Sequence, residues 1–414
     1  MASTNIAEIS RLDLQGLSHA PLVSITDVEH LSSYNWIEAP TPTIAVPGSP
    51  PLWSAPRVPK QLQKDSGLVY IAQNAARHPD SPLEPLFRAL YIANPAFDIR
   101  SIDVVTDRNN IRKLLSFVDP SSTRNGLEAF TIKIEITKNT ALFCREETAT
   151  TEFIHPHEFR GFGHEFEKTY TTNQIKDSTG HHRIISYRFS DLKFILRYET
   201  DGYIDAGTKT SSSSSDEAEN DTLSKMLGSL SLSPSDDTPG TSPARSKLTI
   251  QNEGQVVPLK STLKIKTRVA HRPLAIQEVA PQLWASQTSK LVRAYHHKGM
   301  FQVPEVEDVA AEIMRWEERN QKHLKTLGAL INRLIKVVIG AGGRAVVKYD
   351  TKGDKLVVRK VDGKRMLPED LYAKWDDKDV LEEKTDNNHI VVGSALKPVN
   401  AVEPEVDGKG TVKA

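Results

Sequence analysis

Apolar positions along this chain fall into two periods, and the elements follow from them. Between residues 127 and 146 they alternate, with Phe130, Ile132, Ile134 and Ile136 on one side. A Lys138-Asn139 break precedes the run from Thr140 to Cys144. That is the pattern of a β-hairpin with a buried face. Residues 183–188 and 193–203 predict two further strands joined at Ser190-Asp191, residues 246–270 two more, and residues 344–361 a hairpin. A three- and four-residue period instead carries Val306, Val309, Ile313, Trp316, Leu324, Leu327, Leu330, Ile331 and Leu334. It predicts one long helix from Pro304 to about Ile339. Shorter helices are expected at 82–93, after the polar turn at 103–107, and at 158–172. The Pro-rich first 60 residues read as an irregular arm anchored by Trp36 and Trp53, because proline removes backbone donors.

The expected fold class is α+β, a mixed sheet with flanking helices. The organisation reads as a flexible N-terminus over residues 1–20, one domain over 21–370 and a polar tail over 371–414. A Ser-rich, low-complexity insertion at 207–246 interrupts the domain and buries almost nothing. Lys plus Arg and Asp plus Glu both number 53, so any basic channel must be local. The single Cys144 excludes an intrachain disulfide framework. No apolar run approaches the roughly 20 residues of a membrane span, so no membrane partner is expected, and the protein reads as intracellular, not secreted.

The chemistry concentrates in two stretches. On a strand, Glu199 and Asp201 point the same way. Lys266 on a following strand and Glu167 from a preceding helix can be brought to the same spot. Three carboxylates and a lysine are the parts of a magnesium or manganese site for phosphodiester hydrolysis, in which the metal activates water and the lysine orients it. His155, His157, His164 and the pair His181-His182 do not read as a zinc site. Ala341-Gly-Gly-Arg344 lacks the ending of a phosphate loop. Asp236-Asp237 and Asp376-Asp377 lack the third aspartate of a diphosphate-binding set.

Five motifs in order, across residues 100 to 300, resemble the DXO-like decapping exoribonuclease family with its PD-(D/E)XK-type nuclease core. They are Thr106-Asp-Arg-Asn-Asn-Ile-Arg-Lys-Leu-Leu115, Phe162-Gly-His-Glu-Phe-Glu167, Tyr198-Glu-Thr-Asp201, Leu263-Lys-Ile-Lys-Thr267 and Trp284-Ala-Ser-Gln287. The resemblance implies a hydrolase acting on RNA 5′ ends in nucleus or cytoplasm, beside a protein partner such as a 5′–3′ exoribonuclease. It implies Glu167, Glu199 and Asp201 as metal ligands for Mg2+ or Mn2+, Lys266 as the catalytic lysine, and Arg108 and Gln287 as RNA contacts.

Three positions depart from the pattern. Asp107 replaces a tryptophan, and the Ser286-Gln287 order is transposed. Above all, Lys264 stands where the family has a metal-binding glutamate. Two readings stay open: a metal-dependent decapping nuclease impaired at Lys264, and a catalytically degenerate relative that binds RNA or a protein.

Overall fold

The computed structural model describes residues 4–16, 22–122, 126–205 and 246–376. The chain opens with strands β1 (Asn5–Ser10), β2 (Thr26–Ile37), β3 (Thr43–Gly48), β4 (Leu52–Trp53), β5 (Lys60–Gln61) and β6 (Gly67–Tyr70). Helices α1 (Gln73–Arg77) and α2 (Glu84–Ala93) follow. Strand β7 (Val104–Asp107) runs directly into α3 (Arg108–Val118), and then come β8 (Phe130–Thr137), β9 (Thr140–Glu146) and β10 (Thr151–Ile154). Helix α4 (Gly163–Tyr170) and β11 (Thr171–Thr172) precede β12 (Ser178–Phe189), β13 (Leu192–Thr200) and β14 (Gly202–Tyr203).

After residue 245 come β15 (Thr249–Gly254), β16 (Thr262–Val269), α5 (Ile276–Ser286), β17 (Lys290–His297), β18 (Met300–Phe301) and β19 (Val306–Asp308). Helices α6 (Ala310–Arg319) and α7 (Gln321–Gly340), the hairpin β20 (Arg344–Tyr349) and β21 (Lys355–Lys360), and α8 (Glu369–Tyr372) end the described chain.

An eleven-stranded sheet has the order β1-β21-β20-β8-β9-β7-β13-β12-β2-β3-β15. Both its faces are covered. On β13, Phe194 and Leu196 enter one core with α3, α5, α6 and α7, while Ile195 enters the other with α2, Trp36 and Trp375. Covering both faces makes such a strand read as a continuous apolar run. A second sheet has the order β11-β4-β14-β16-β17-β18-β5, with β19 on β17. The chain crosses from the first sheet to the second at Asp201, between β13 and β14. The α+β class and mixed sheet are as expected, and the hairpins at 130–146, 178–200 and 344–360 stand where the alternation placed them.

Four expectations are corrected. The first 60 residues are not an irregular arm, since β2 and β3 are inner strands of the large sheet and β1 pairs with β21, burying Ile9. The long helix is two: Val306–Asp308 is a strand on β17, and α6 ends at Arg319 before α7 begins. The helix expected over 158–172 starts only at Gly163, because Gly161 has φ 137° and Asp65 accepts the Glu165 N–H at 3.0 Å in the first turn. The domain does not end at 370, because Leu371, Tyr372 and Trp375 are buried in the core that holds Phe87. The Ser-rich insertion and the polar tail lie outside the described residues, apart from Ser246 and residues 371–376. Among the described residues, no helix is long and apolar enough to cross a membrane.

Candidate functional site

The site forms where the two sheets meet. Strand β13 ends on Glu199 and Thr200, and Asp201 begins the crossing to β14, which pairs with β16 through Gly202 and Leu263. That pairing sets Asp201 beside the 264–266 segment. Its Oδ2 accepts the Ile265 backbone N–H at 2.8 Å, and its Oδ1 pairs with Lys264 Nζ. Both partners are shielded, with 4% of the Asp201 and 14% of the Lys264 side chain exposed. A buried ion pair of this kind costs about 3–5 kcal/mol to break from one side, because the survivor is stranded.

Helix α4 supplies Glu167. Phe166 and Tyr170, four residues apart, bury against Leu263, Ile265 and Phe301, which turns Glu167 toward the charged cluster. Burial and the Asp201 carboxylate push Glu167 up to about 8, with Lys264 pulling the other way. Burial and the Lys264 ammonium bring Lys266 down to about 7, against the attraction of Asp201. Glu199 stands open to solvent at the same place. Arg108, the first residue of α3, lies over the Tyr198 ring with its guanidinium carbon 5.3 Å from the centroid, in the field of Asp201 and Glu199.

The structure thus brings together Arg108, Glu167, Glu199, Asp201, Lys264 and Lys266. Gln287 stands apart. It caps the C-terminus of α5 in a left-handed conformation, φ 52°, with its Nε2 donating to Trp284 O at 2.6 Å. Ser286, in the position of the family's glutamine, is buried with its hydroxyl on Gln282 O.

The donor set does not fit a divalent ion. Both Asp201 oxygens are occupied, one of them by an ammonium. A hard cation needs ionised carboxylate oxygens converging on it, and among the described residues no such group is arranged for one. Lys264 sits where the cation's charge would be needed.

A cavity of about 140 Å³ opens beside Glu199. Sequence reasoning missed its walls: Gln73, Arg112, Arg145 and His182 line it together with Arg108 and Glu199. Arg112, one helical turn after Arg108, and His182, in the pair weighed for zinc, were visible in the sequence; Gln73 and Arg145 arrive from distant elements.

The chain matches a family model described as "Domain of unknown function (DUF8563)" over residues 10–375. It belongs to the DUF8563 family. A search of the curated proteins finds no match. Among solved structures, Scheffersomyces stipitis Rai1 in complex with (3′-NADP)+ and calcium ion is similar at 12% identity and a TM-score of 0.56, covering 91% of this chain and 99% of that one. S. pombe Rai1 in complex with 3′-FADP is similar at 12% identity and a TM-score of 0.53, covering 86% of this chain and 99% of that one. DUF8563 here therefore shares the fold of the Rai1 proteins, and the resemblance to the DXO-like decapping nucleases holds for that fold.

Proposed function

We propose that this protein binds the 5′ ends of RNA without a metal and without cleaving them. The observation that carries the reading is the Lys264–Asp201 ion pair at the centre of Glu167, Glu199 and Asp201. A fixed ammonium neutralises carboxylates, as a metal does. It has no open coordination position and cannot make a hydroxide from water at neutral pH. The cleft keeps Arg108, a cation suited to a phosphate backbone, and Lys266, about half protonated near neutral pH, on a fold shared with proteins whose structures hold nucleotides. Fold alone does not assign an activity; the ion pair supports binding over hydrolysis.

One observation favours a working nuclease as the second reading. Glu167 near 8 and Lys266 near 7 are poised to exchange protons around neutrality. The two readings separate in an assay of RNA degradation with manganese, using wild type, Asp201→Ala and Lys264→Glu. We expect wild type to be silent and to bind single-stranded RNA in the presence of a chelator. Lys264→Glu should lose stability without metal, through the added like charge beside Asp201. It should then gain thermal stability with manganese by the usual linkage, while wild type shows no manganese shift. Manganese-dependent cleavage by wild type that vanishes in Asp201→Ala would overturn the binding reading.

A further inference from the structure

The cavity beside Glu199 is built for an anion, and nothing in the Lys264 cluster explains its walls. Arg108 and Arg112 lie four residues apart on α3, so their side chains share one face. Among the described residues neither guanidinium has a hydrogen bond or an ion pair with a side chain. Arg145 comes in from β9, its NH1 donating to Ile71 O at 3.0 Å while its Nε pairs with Glu147. The carboxylates at the cavity are Asp107 and Glu199. Asp107 is fully engaged by Arg197, at 2.6 and 3.0 Å. Glu199 is left to oppose an incoming anion, and Arg108 and Arg112 outweigh it.

The same engagement leaves the N-terminus of α3 bare. Asp107 is its N-cap residue, yet no side chain caps the helix, because Arg197 holds the carboxylate. Arg108 and Asn109, whose N–H groups begin the helix, line the cavity. An uncapped N-terminus presents unsatisfied donors and a partial positive charge to an anion. One buried nitrogen at the wall also lacks a partner, His182 Nδ1, on a residue 5% exposed, while Gln73 Oε1, equally unpartnered, is an acceptor that only a protonated phosphate oxygen could meet. The His182 ring is held in place by stacking on Tyr34, with centroids 5.1 Å apart. Gly180 leaves room for the Gln73 side chain, since a Cβ there would lie 2.6 Å from Gln73 Oε1.

We propose that this cavity holds a terminal phosphate monoester, gripped by Arg108, Arg112, Arg145 and the first turn of α3 in place of a metal. That the phosphate ends an RNA chain rests on the function proposed above; the anion site itself does not. Guanidinium forks match phosphate oxygens bidentately. A phosphate monoester carries about −1.5 to −2 charge near neutral pH, against at most −1 for an internal phosphodiester. The cavity, about 140 Å³, has room for the group, and the larger charge favours a chain end over a chain middle.

The test compares binding of one single-stranded RNA sequence, made with a 5′-phosphate or a 5′-hydroxyl, in chelator, with inorganic phosphate and a nucleoside 5′-monophosphate as competitors. Wild type should prefer the phosphorylated RNA by about tenfold or more. Arg112→Gln should bring that preference close to one while the 5′-hydroxyl affinity and the melting temperature stay unchanged; Arg145→Gln should lower the preference too, and with it the melting temperature, through the lost contacts to Ile71 and Glu147. Arg112→Lys, which keeps the charge and loses the fork, should recover part of it. Equal affinity for both RNAs would overturn the phosphate site and leave RNA binding standing. Direct binding of inorganic phosphate or the nucleoside 5′-monophosphate, measured by calorimetry, with no RNA affinity would support the site and overturn the RNA reading. No binding of any probe would overturn both.

Discussion

Glu167 shows how one residue's surroundings become a measurable pH dependence. An ordinary glutamic acid ionises near 4.5, and in the folded protein burial and Asp201 hold this one to about 8. Between those values the folded state keeps a proton that the unfolded state releases. Stability contributed by the neutral carboxyl is therefore present below about 4.5 and is lost as pH rises through about 8. Glu167→Gln mimics the neutral form. Its melting temperature should match wild type at pH 5 and exceed it at pH 9; the same difference at both pH values would refute the assignment. Lys264 was visible in the sequence as an intruder in a metal motif. Its partner was not, because the choice between repelling an ion and capturing Asp201 depends on the turn from β13 into β14.

At the scale of elements, helix α7 and the β12–β13 hairpin meet at one point without spare room. A Cβ at Gly328 would lie 2.2 Å from Ser190 Oγ and 2.5 Å from Ser190 Cβ. Alanine is the better helix former by roughly 1 kcal/mol, yet here overpacking of about 1–3 kcal/mol wins. Gly328→Ala should lower stability to chemical denaturation. Ser190→Gly should restore it, since Ser190 also has φ 50°; a neutral Gly328→Ala would show that the turn gives way. The hairpins were readable because alternation survives wherever one face is buried. Strand β2 was not, because Ser32, Ser33 and Asn35 are buried polar residues. Their hydrogen bonds come from far away: Asn35 Nδ2 donates to Ser49 O and Ser178 Oγ, and Asn35 Oδ1 meets His181 Nδ1.

For the whole molecule, the balance of 53 basic and 53 acidic residues predicts shallow electrostatics. Each phosphate neutralised on a single strand contributes about −0.7 to the slope of log affinity against log salt. Contacts confined to Arg108, Arg112, Arg145 and Lys266 should give a slope between about −1 and −3. A slope steeper than about −5 in a salt titration of RNA binding would place a broad basic surface elsewhere on the protein. The helix α3 N-terminus, the 264–266 segment and the α4 carboxylate come from three distant parts of the chain. Their convergence is what makes a small local charge sufficient.

By itself the sequence determined the α+β class, the hairpins and the short list of charged residues, because side-chain period and residue type are local properties. It also exposed Lys264 as chemically out of place. Tertiary structure alone decided that the first strands belong inside the sheet, that Gln287 turns onto its own helix, and that Arg145 and Gln73 join Arg112 around a cavity. Each of these depends on which distant backbone supplies a partner, and a pairing partner leaves no mark on the periodicity of either strand.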